Sequence, residues 1–203
     1  LPGFRDRKVQ RWMIAEVGRT FSAADDHPSI LALEAGTGTG KSLGYLLPGI
    51  VVAQEEERTL VVSTGPVALQ EQLLHKDLPL VTRHGELDFR SQLAKGRGRY
   101  ACIRDLERAA TEDGEADQLA LDGAVWAQRP SQADAEAVAA MHRSWSSGDW
   151  NGDLDAWPEA LSGPVRALVT TSRHGCTGGA CAHRDRCPYY RDRDRVWGAD
   201  VVV

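Results

Sequence analysis

Two hydrophobic patterns alternate along the amino-terminal part of the chain. Residues 8–22 carry apolar side chains at the spacing of one helix face, which predicts an amphipathic helix. Residues 30–34 and 59–63 are short apolar runs, and each is typical of a buried strand. Further helices are predicted from about residue 41 and over residues 66–77. Strands that alternate with helices indicate an α/β fold with a parallel sheet. The predicted apolar face of the first helix consists of Val9, Trp12, Met13, Val17 and Phe21.

After about residue 93 the pattern changes, because strand signals fade and Ala, Asp, Glu and Gln become more frequent. Apolar spacing there predicts a mainly helical segment. The predicted helices cover residues 102–122, 131–146, 158–169 and 188–197. The last five residues, 199–203, are typical of a buried strand. An exposed Val-Val-Val edge would promote aggregation, so we expect further sequence beyond it.

Composition places the chain among soluble globular proteins, since 42% of its 203 residues are hydrophobic and 26% are charged. No apolar run approaches the roughly 20 residues that a membrane span needs. The first residues show neither the basic nor the apolar region of a signal peptide. We therefore expect a cytoplasmic protein without a membrane segment.

The net charge of −5 argues weakly against a nucleic-acid partner, but the charge is unevenly distributed. Residues 107–159 hold 12 acidic and 3 basic side chains. Basic side chains gather at 95–99 and at 184–195. In the second cluster Arg alternates with Asp, which predicts a salt-bridged helix face. The overall charge therefore does not exclude binding of a polyanion.

Residues 35–42, Ala-Gly-Thr-Gly-Thr-Gly-Lys-Ser, match the P-loop pattern G-x-x-x-x-G-K-[ST] except at the first position. A loop of this kind between a strand and a helix directs backbone N–H groups at a triphosphate. We predict that Lys41 holds the β- and γ-phosphates of ATP and that Ser42 offers its hydroxyl to Mg²⁺. A plain glycine turn is the alternative. The residues predicted to bind the phosphates are Gly36, Thr37, Gly38, Thr39, Gly40, Lys41 and Ser42.

The chain has four cysteines, Cys102, Cys176, Cys181 and Cys187, with the spacing C-x73-C-x4-C-x5-C. A 4Fe-4S cluster held by four thiolates would use all of them. Structural zinc prefers C-x2–4-C pairs, and disulfides suit secreted domains. The spacing alone leaves the cluster and zinc as alternatives. His174 and His183 lie near these cysteines in sequence, and we interpret both as outside the ligand set.

Three features resemble the iron–sulfur DNA helicases of the DinG/XPD type in superfamily 2. Residues 4–10, Phe-Arg-Asp-Arg-Lys-Val-Gln, followed by Met13, resemble the Q motif. Residues 61–73, Val-Val-Ser-Thr-Gly-Pro-Val-Ala-Leu-Gln-Glu-Gln-Leu, resemble helicase motif Ia. The cysteines resemble the cluster ligands of these helicases, with Lys-Gly-Arg-Gly-Arg-Tyr before the first and Pro-Tyr-Tyr after the last.

The resemblance implies roles for individual residues. Gln10 would read the edge of adenine, with Arg7 beside it and Phe4 packed on the base. Thr64 and Gln70 would contact the nucleic-acid backbone. The four cysteines would hold a 4Fe-4S cluster.

A basic segment precedes the first cysteine. Arg97 and Arg99 are predicted to contact DNA phosphates, and Tyr100 is predicted to stack on a base of a single strand. A solvated basic turn is the alternative interpretation.

The implied fold is a P-loop NTPase (RecA-like) parallel sheet with an inserted, mainly helical iron–sulfur cluster domain. Residues 1–94 would form the first part of motor domain 1, residues 95–190 the cluster domain, and residues 191–203 the return to motor domain 1. The implied activity is ATP-dependent 5′–3′ movement on single-stranded DNA, with opening of duplex or forked DNA. DNA repair is the expected setting and a monomer the expected state.

The sequence contains no Asp-Glu-x-His motif and no second motor domain. We therefore expect a fragment that does not hydrolyse ATP by itself. Three other interpretations stay open. The chain could be a P-loop ATPase or switch with a zinc-stabilised insert, a non-enzymatic piece that binds DNA through the cluster domain only, or a redox sensor.

Overall fold

The computed structural model describes residues 7–23, 29–111 and 130–203. The chain divides into two compact units. The first unit is Leu1–Ala94 together with Arg195–Val203, and the second unit is Lys95–Asp194. Phe4 and the carboxyl-terminal part of the helix predicted at 102–122 lie outside the described residues. No helix among the described residues is both long enough and apolar enough to cross a membrane.

The first unit combines helices with a small parallel sheet, so the prediction of an α/β fold is confirmed. Its strands are β1 (Leu60–Val61), β2 (Ser91–Gln92) and β3 (Val201–Val202), in the order β1-β3-β2. Both pairings are parallel. Its helical elements are α1 (Lys8–Phe21), α2 (Lys41–Glu55), α3 (Val67–Gln72), a π-helical turn (Leu73–Asp77) and α4 (Leu78–Gly85).

The middle strand of this sheet, β3, comes from the end of the chain. Val201 pairs with Leu60 on one side and with Ser91 on the other. The Val62 N–H donates to the Val202 carbonyl at 2.7 Å, and the Val203 N–H donates to the Gln92 carbonyl at 3.0 Å. About a hundred residues, which include the whole second unit, separate β2 from β3 in the sequence. The sheet of the first unit therefore cannot be completed until the second unit has been synthesised.

The core of the first unit forms where α2 and the helices after β1 pack on the sheet. Its buried members are Leu46, Ile50, Leu73, Leu78, Val81, Val201 and Val203. The helix predicted over 66–77 begins one residue later and continues to Gly85. The π-helical turn ends two residues before Pro79, which lacks an N–H and whose ring would crowd the carbonyl four residues earlier in an α-helix.

Two expectations for the first unit need correction. Residues 30–34 do not form a strand, and Ile30 is 94% exposed. An apolar run does not specify its own ladder partner, and the sheet of the described residues does not include this segment. On α1, Met13 and Val17 are buried as predicted, but Trp12 is 57% exposed and Val9 and Phe21 are also exposed. The buried stripe of α1 is therefore narrower than predicted.

The second unit is helical in its described part, as predicted. Its helices are α5 (Ile103–Thr111), α6 (Gln132–Ser147), α7 (Gly163–Val169) and α8 (Pro188–Val196). A short 3₁₀ turn at 97–99 precedes α5, and others lie at 154–156, 178–180 and 184–186 between the later helices. Its core contains Leu106, Val138, Met141, Val165 and Val169.

One carboxylate ties the starts of two of these helices together. The Ser131 and Asp134 side chains form a reciprocal capping box at the start of α6. Asp134 also accepts a hydrogen bond from the Ser162 hydroxyl, which caps α7, at 2.5 Å. This cap explains why α7 begins at Gly163 rather than near residue 158.

Candidate functional site

The glycine loop before α2 has a backbone that only glycine adopts without strain at two positions. Gly38 has φ +75° and Gly40 has φ +82°, both in the left-handed region. Gly40 immediately precedes Lys41, the first residue of α2. The first backbone N–H groups of a helix have no partner within the helix. The loop therefore brings unpaired donors and a helix amino terminus together, which is the arrangement that binds phosphate.

The start of α1 lies against this loop. Gln10 Nε2 donates to the Gly40 carbonyl at 3.1 Å, and Arg7 donates to the Gly38 carbonyl. A Cβ atom on Gly40 would lie only 2.2 Å from Gln10 Nε2. The structure thus places Arg7 and Gln10 beside the predicted phosphate loop. It also shows a contact that the sequence did not predict, namely the hydrogen bond from the Gln10 amide to the backbone of the loop.

Lys41 and Ser42, the two residues predicted to act on the phosphates, have neighbours in the loop and in α2. Lys41 Nζ donates to the Ala35 carbonyl at 2.8 Å and to the Gly36 carbonyl at 3.2 Å. Ser42 lies one turn before Tyr45 on α2. Burial raises the pKa of Tyr45. A bound phosphate would replace the two loop carbonyls as the partner of Lys41.

The predicted motif Ia residues lie after β1. Gln70 lies half-buried on α3 and interacts with other groups of the protein. The Thr64 hydroxyl oxygen is buried, and none of the described residues is its hydrogen-bond partner. A buried hydroxyl without a partner costs about 1–3 kcal/mol. Thr64 therefore carries a buried hydroxyl without a hydrogen-bond partner among the described residues.

All four cysteines line one pocket of the second unit. Cys102 precedes α5, Cys176 and Cys181 flank the 3₁₀ turn at 178–180, and Cys187 precedes α8. Each is partly buried. The pocket holds about 420 Å³ of empty space, part of it open to solvent. The fold thus gathers residues that are as far apart as 102 and 187 in sequence.

The sulfur atoms of this pocket have distinct surroundings. Cys176 Sγ accepts hydrogen bonds from Arg97 Nη1 at 2.6 Å and from the Gly178 N–H at 3.4 Å. Burial raises the pKa of the Cys102 thiol to about 12. Without a metal this thiol stays protonated at neutral pH, so a metal must displace its proton on binding.

The cysteines of this pocket are donors that either a zinc ion or an iron–sulfur cluster accepts. Within the described residues, no three Cys, His, Asp or Glu side chains lie close enough to share one metal ion. A structural zinc ion needs four ligands at about 2.0–2.3 Å from one point. A 4Fe-4S cluster takes one thiolate on each of four irons, so its ligands surround a volume. The number and type of donors around the pocket fit such a cluster.

Comparison with known proteins adds a whole-length similarity. The chain is 38% identical over 205 residues to proteins named ATP-dependent DNA helicase DinG from Photobacterium profundum, Salmonella typhimurium and Escherichia coli. The chain is DinG-like over its whole length. The alignments cover 100% of this chain and 29%, 28% and 28% of these relatives. No family model matches the chain.

The basic segment of the DinG-like chain differs from the sequence-based expectation. Lys95 pairs with Asp153 at 2.5 Å and with Asp155 at 2.8 Å, and Arg99 pairs with Asp155 at 2.6 Å. These pairs hold residues 95–99 against the loop before α7. Arg99 is therefore neither a solvated side chain nor, as placed here, a free contact for a DNA phosphate.

Tyr100 and Arg97 are also engaged within the second unit. Tyr100 is 3% exposed and packs edge-on against Tyr189, with ring centroids 5.9 Å apart. Its ring is therefore not available as a stacking platform for a base, because it belongs to the core. Arg97 lies over Tyr189 and contacts Cys176. DNA contact by these residues stays a prediction to which their placement lends no support.

The structure also shows the surroundings of the second basic cluster and of the two histidines near the cysteines. Arg184 pairs with Asp194 at 3.3 Å, in line with the predicted ion pairs. His183 lines the cysteine pocket and His174 is exposed. The sequence analysis missed Tyr189 and Tyr190 as pocket residues. The sequence signal for these two pocket residues was the Pro-Tyr-Tyr segment that directly follows the last cysteine.

Proposed function

We propose that this chain is part of an ATP-dependent DNA helicase that moves 5′ to 3′ on single-stranded DNA and opens duplex or forked DNA in repair. The observation that carries the proposal is the glycine loop with Arg7 and Gln10 bonded to its backbone. It occurs in a chain that is similar over its whole length to proteins named as DNA helicases. Since those relatives are more than three times as long, we propose that a longer protein contains this chain.

The loop residues define how this part of the protein would bind ATP with Mg²⁺. The unpaired N–H groups of residues 36–41 would bind the phosphates. Lys41 would exchange its two loop carbonyls for the β- and γ-phosphates, and Ser42 would offer its hydroxyl to Mg²⁺. Gln10 already lies at the loop, where its amide could meet adenine.

The four cysteines of the second unit would hold a 4Fe-4S cluster. The cluster would connect four chain segments, and metal binding of this kind contributes free energy to folding. Support comes from the four thiols around one pocket and from the donors directed at Cys176. In the helicase, the second unit would be the rigid element against which the duplex separates.

Nucleotide binding tests the proposal on this chain. Because its sequence has no Asp-Glu-x-His motif, the measurement is binding of a fluorescent ATP analogue with Mg²⁺ rather than turnover. Lys41→Ala should lower the affinity at least tenfold, since it removes charge-assisted hydrogen bonds. Lys76→Ala removes an equal charge from the surface of the same unit and should leave the affinity unchanged. Equal affinity in the wild type and Lys41→Ala would contradict the proposal.

Unwinding is tested on a longer protein that contains this chain. With Lys41 intact, we expect opening of a forked duplex that carries a 5′ single-stranded tail. Lys41→Ala should abolish opening, and a duplex with only a 3′ tail should not be opened. Opening from the 3′ tail alone would overturn the proposed direction, and opening by Lys41→Ala would overturn the role of the loop.

A further inference from the structure

Arg97 occupies a special position at the cysteine pocket. Its Nη1 atom donates to Cys176 Sγ at 2.6 Å. Its neighbours Lys95 and Arg99 instead form ion pairs with Asp153 and Asp155. Within the described residues, no carboxylate pairs with Arg97. Arg97 is thus the cation of this segment whose charge is directed at a cysteine sulfur.

Two tyrosines hold the guanidinium of Arg97 in this position. Arg97 Cζ lies 4.3 Å from the ring centroid of Tyr189 and 5.3 Å from that of Tyr190. The two rings pack edge-on with centroids 5.1 Å apart. A guanidinium within about 6 Å of an aromatic face gains a cation–π attraction.

Arg184 also contacts this aromatic pair. Arg184 Cζ lies 3.8 Å from the ring centroid of Tyr190, and its guanidinium pairs with Asp194 on α8. Tyr189 is in turn supported by the buried ring of Tyr100. Contacts with Arg184 and Tyr100 therefore restrain the tyrosine pair, so Arg97 is preorganised rather than placed by a flexible side chain alone.

We infer that Arg97 is a positioning residue that tunes the reduction potential of the proposed cluster through Cys176, and that Tyr189 and Tyr190 hold it in place. A hydrogen bond and a positive charge at a ligand sulfur stabilise the reduced cluster, which carries one more negative charge. Both effects raise the reduction potential. This inference rests on the proposed cluster and goes beyond it, because it assigns a redox role to residues that are not ligands.

The test is the midpoint potential of the cluster in anaerobically purified protein, followed by visible and electron paramagnetic resonance spectroscopy. Arg97→Gln should favour the oxidised form about tenfold, as expected for loss of a charge-assisted hydrogen bond, which is a shift of about 59 mV to lower potential for a one-electron couple. Arg97→Lys keeps the charge but loses the planar fork, so we expect a smaller shift. Arg99→Gln removes a charge that Asp155 already balances and should leave the potential near that of the wild type.

A second variant keeps the test decisive if Arg97→Gln fails to load a cluster. Tyr189→Leu removes the ring beneath the guanidinium and leaves Arg97 in the chain, so the potential should fall by part of the Arg97→Gln shift. Tyr189→Phe keeps the ring and should retain the wild-type potential. An unchanged potential in Tyr189→Leu, or in a loaded Arg97→Gln, would overturn the inference. Wild-type protein without iron and sulfide would instead overturn the proposed cluster itself.

Discussion

The glycine loop of the first unit and the cysteine pocket of the second unit are built in opposite ways. The loop is local in sequence, and its geometry depends on two left-handed glycines and on backbone carbonyls that bind Arg7, Gln10 and Lys41. The pocket is nonlocal, and its geometry depends on side chains brought together from residues 97 to 190. A short pattern therefore identifies the loop, whereas the pocket exists only once the second unit has folded.

Loss of a cysteine should have the largest effect, because it tests the nonlocal site directly. Wild-type protein purified without oxygen should contain about four iron and four sulfide per chain. Cys102→Ser should lose the cluster and destabilise the second unit, because cluster binding is coupled to folding. Metal and sulfide analysis with a visible spectrum measures the first effect, and thermal unfolding measures the second.

Ala182→Ser provides the matched control for this experiment. It places a serine in the same exposed loop without removing a thiol, so its iron and sulfide content should equal that of the wild type. If the wild type contained one zinc ion and no sulfide, the cluster would be refuted and a zinc-stabilised insert would take its place. Nucleotide binding should survive Cys102→Ser, because the loop depends on contacts within the first unit.

Gly40→Ala should have an intermediate effect, confined to the local site. The substitution puts a side chain at φ +82° and a Cβ atom 2.2 Å from Gln10 Nε2. Such backbone strain costs about 1–3 kcal/mol, and we expect weaker binding of ATP with Mg²⁺ by about tenfold. Gly65→Ala, at a position with open space and without a left-handed φ, is the control for both binding and unfolding.

A double variant separates the two causes of this loss. If the clash with Gln10 matters, the costs of Gln10→Ala and Gly40→Ala should not add, because shortening Gln10 makes room for the new methyl group. Strict additivity would assign the whole effect to the left-handed backbone. ATP affinity that is unchanged in Gly40→Ala would mean that the loop geometry does not control nucleotide binding.

The same contrast between a local and a nonlocal site explains which features could be predicted from the sequence. The glycine loop, the start of α2 at Lys41 and the buried strand at 201–202 follow from local patterns, and the structure contains all three. Residues 30–34 looked like a strand because they are apolar, but strand pairing depends on distant residues that a local pattern does not specify. β2, at Ser91–Gln92, was missed because it is short and polar.

In the second unit the differences from the sequence-based expectation concern side-chain partners. Arg99 and Tyr100 were expected to face DNA because their sequence is basic and aromatic. The structure gives Arg99 to Asp155 and packs Tyr100 beside Tyr189. Both partners lie more than fifty residues away, so no local pattern could have shown them. The gathering of four cysteines was predictable only because all cysteines of the chain were counted as one set.

The smallest expected effect is a pH dependence of the second unit. Asp155 is partly buried, which by itself raises the pKa of its carboxyl, but its bonds with Lys95 and Arg99 outweigh burial and lower that pKa below the usual value. A carboxyl with a lowered pKa in the folded state adds stability above its unfolded pKa of about 3.9. That stability is lost as the pH falls through the folded pKa.

The measurement compares the free energy of unfolding of the wild type and Asp155→Asn between pH 7 and pH 3. The wild type should be more stable at pH 7. The difference should shrink as the pH falls below about 4, because the Asp155 carboxyl becomes neutral like Asn first in the unfolded chain and then, at lower pH, in the folded protein. The contribution is small, since the ion pairs are partly exposed to solvent. Asp149→Asn, which removes a carboxylate that accepts from the Ser147 hydroxyl rather than from a cation, is the matched control for loss of a carboxylate. A difference between wild type and Asp155→Asn that stays constant over this range would show that Lys95 and Arg99 do not stabilise the ionised carboxyl.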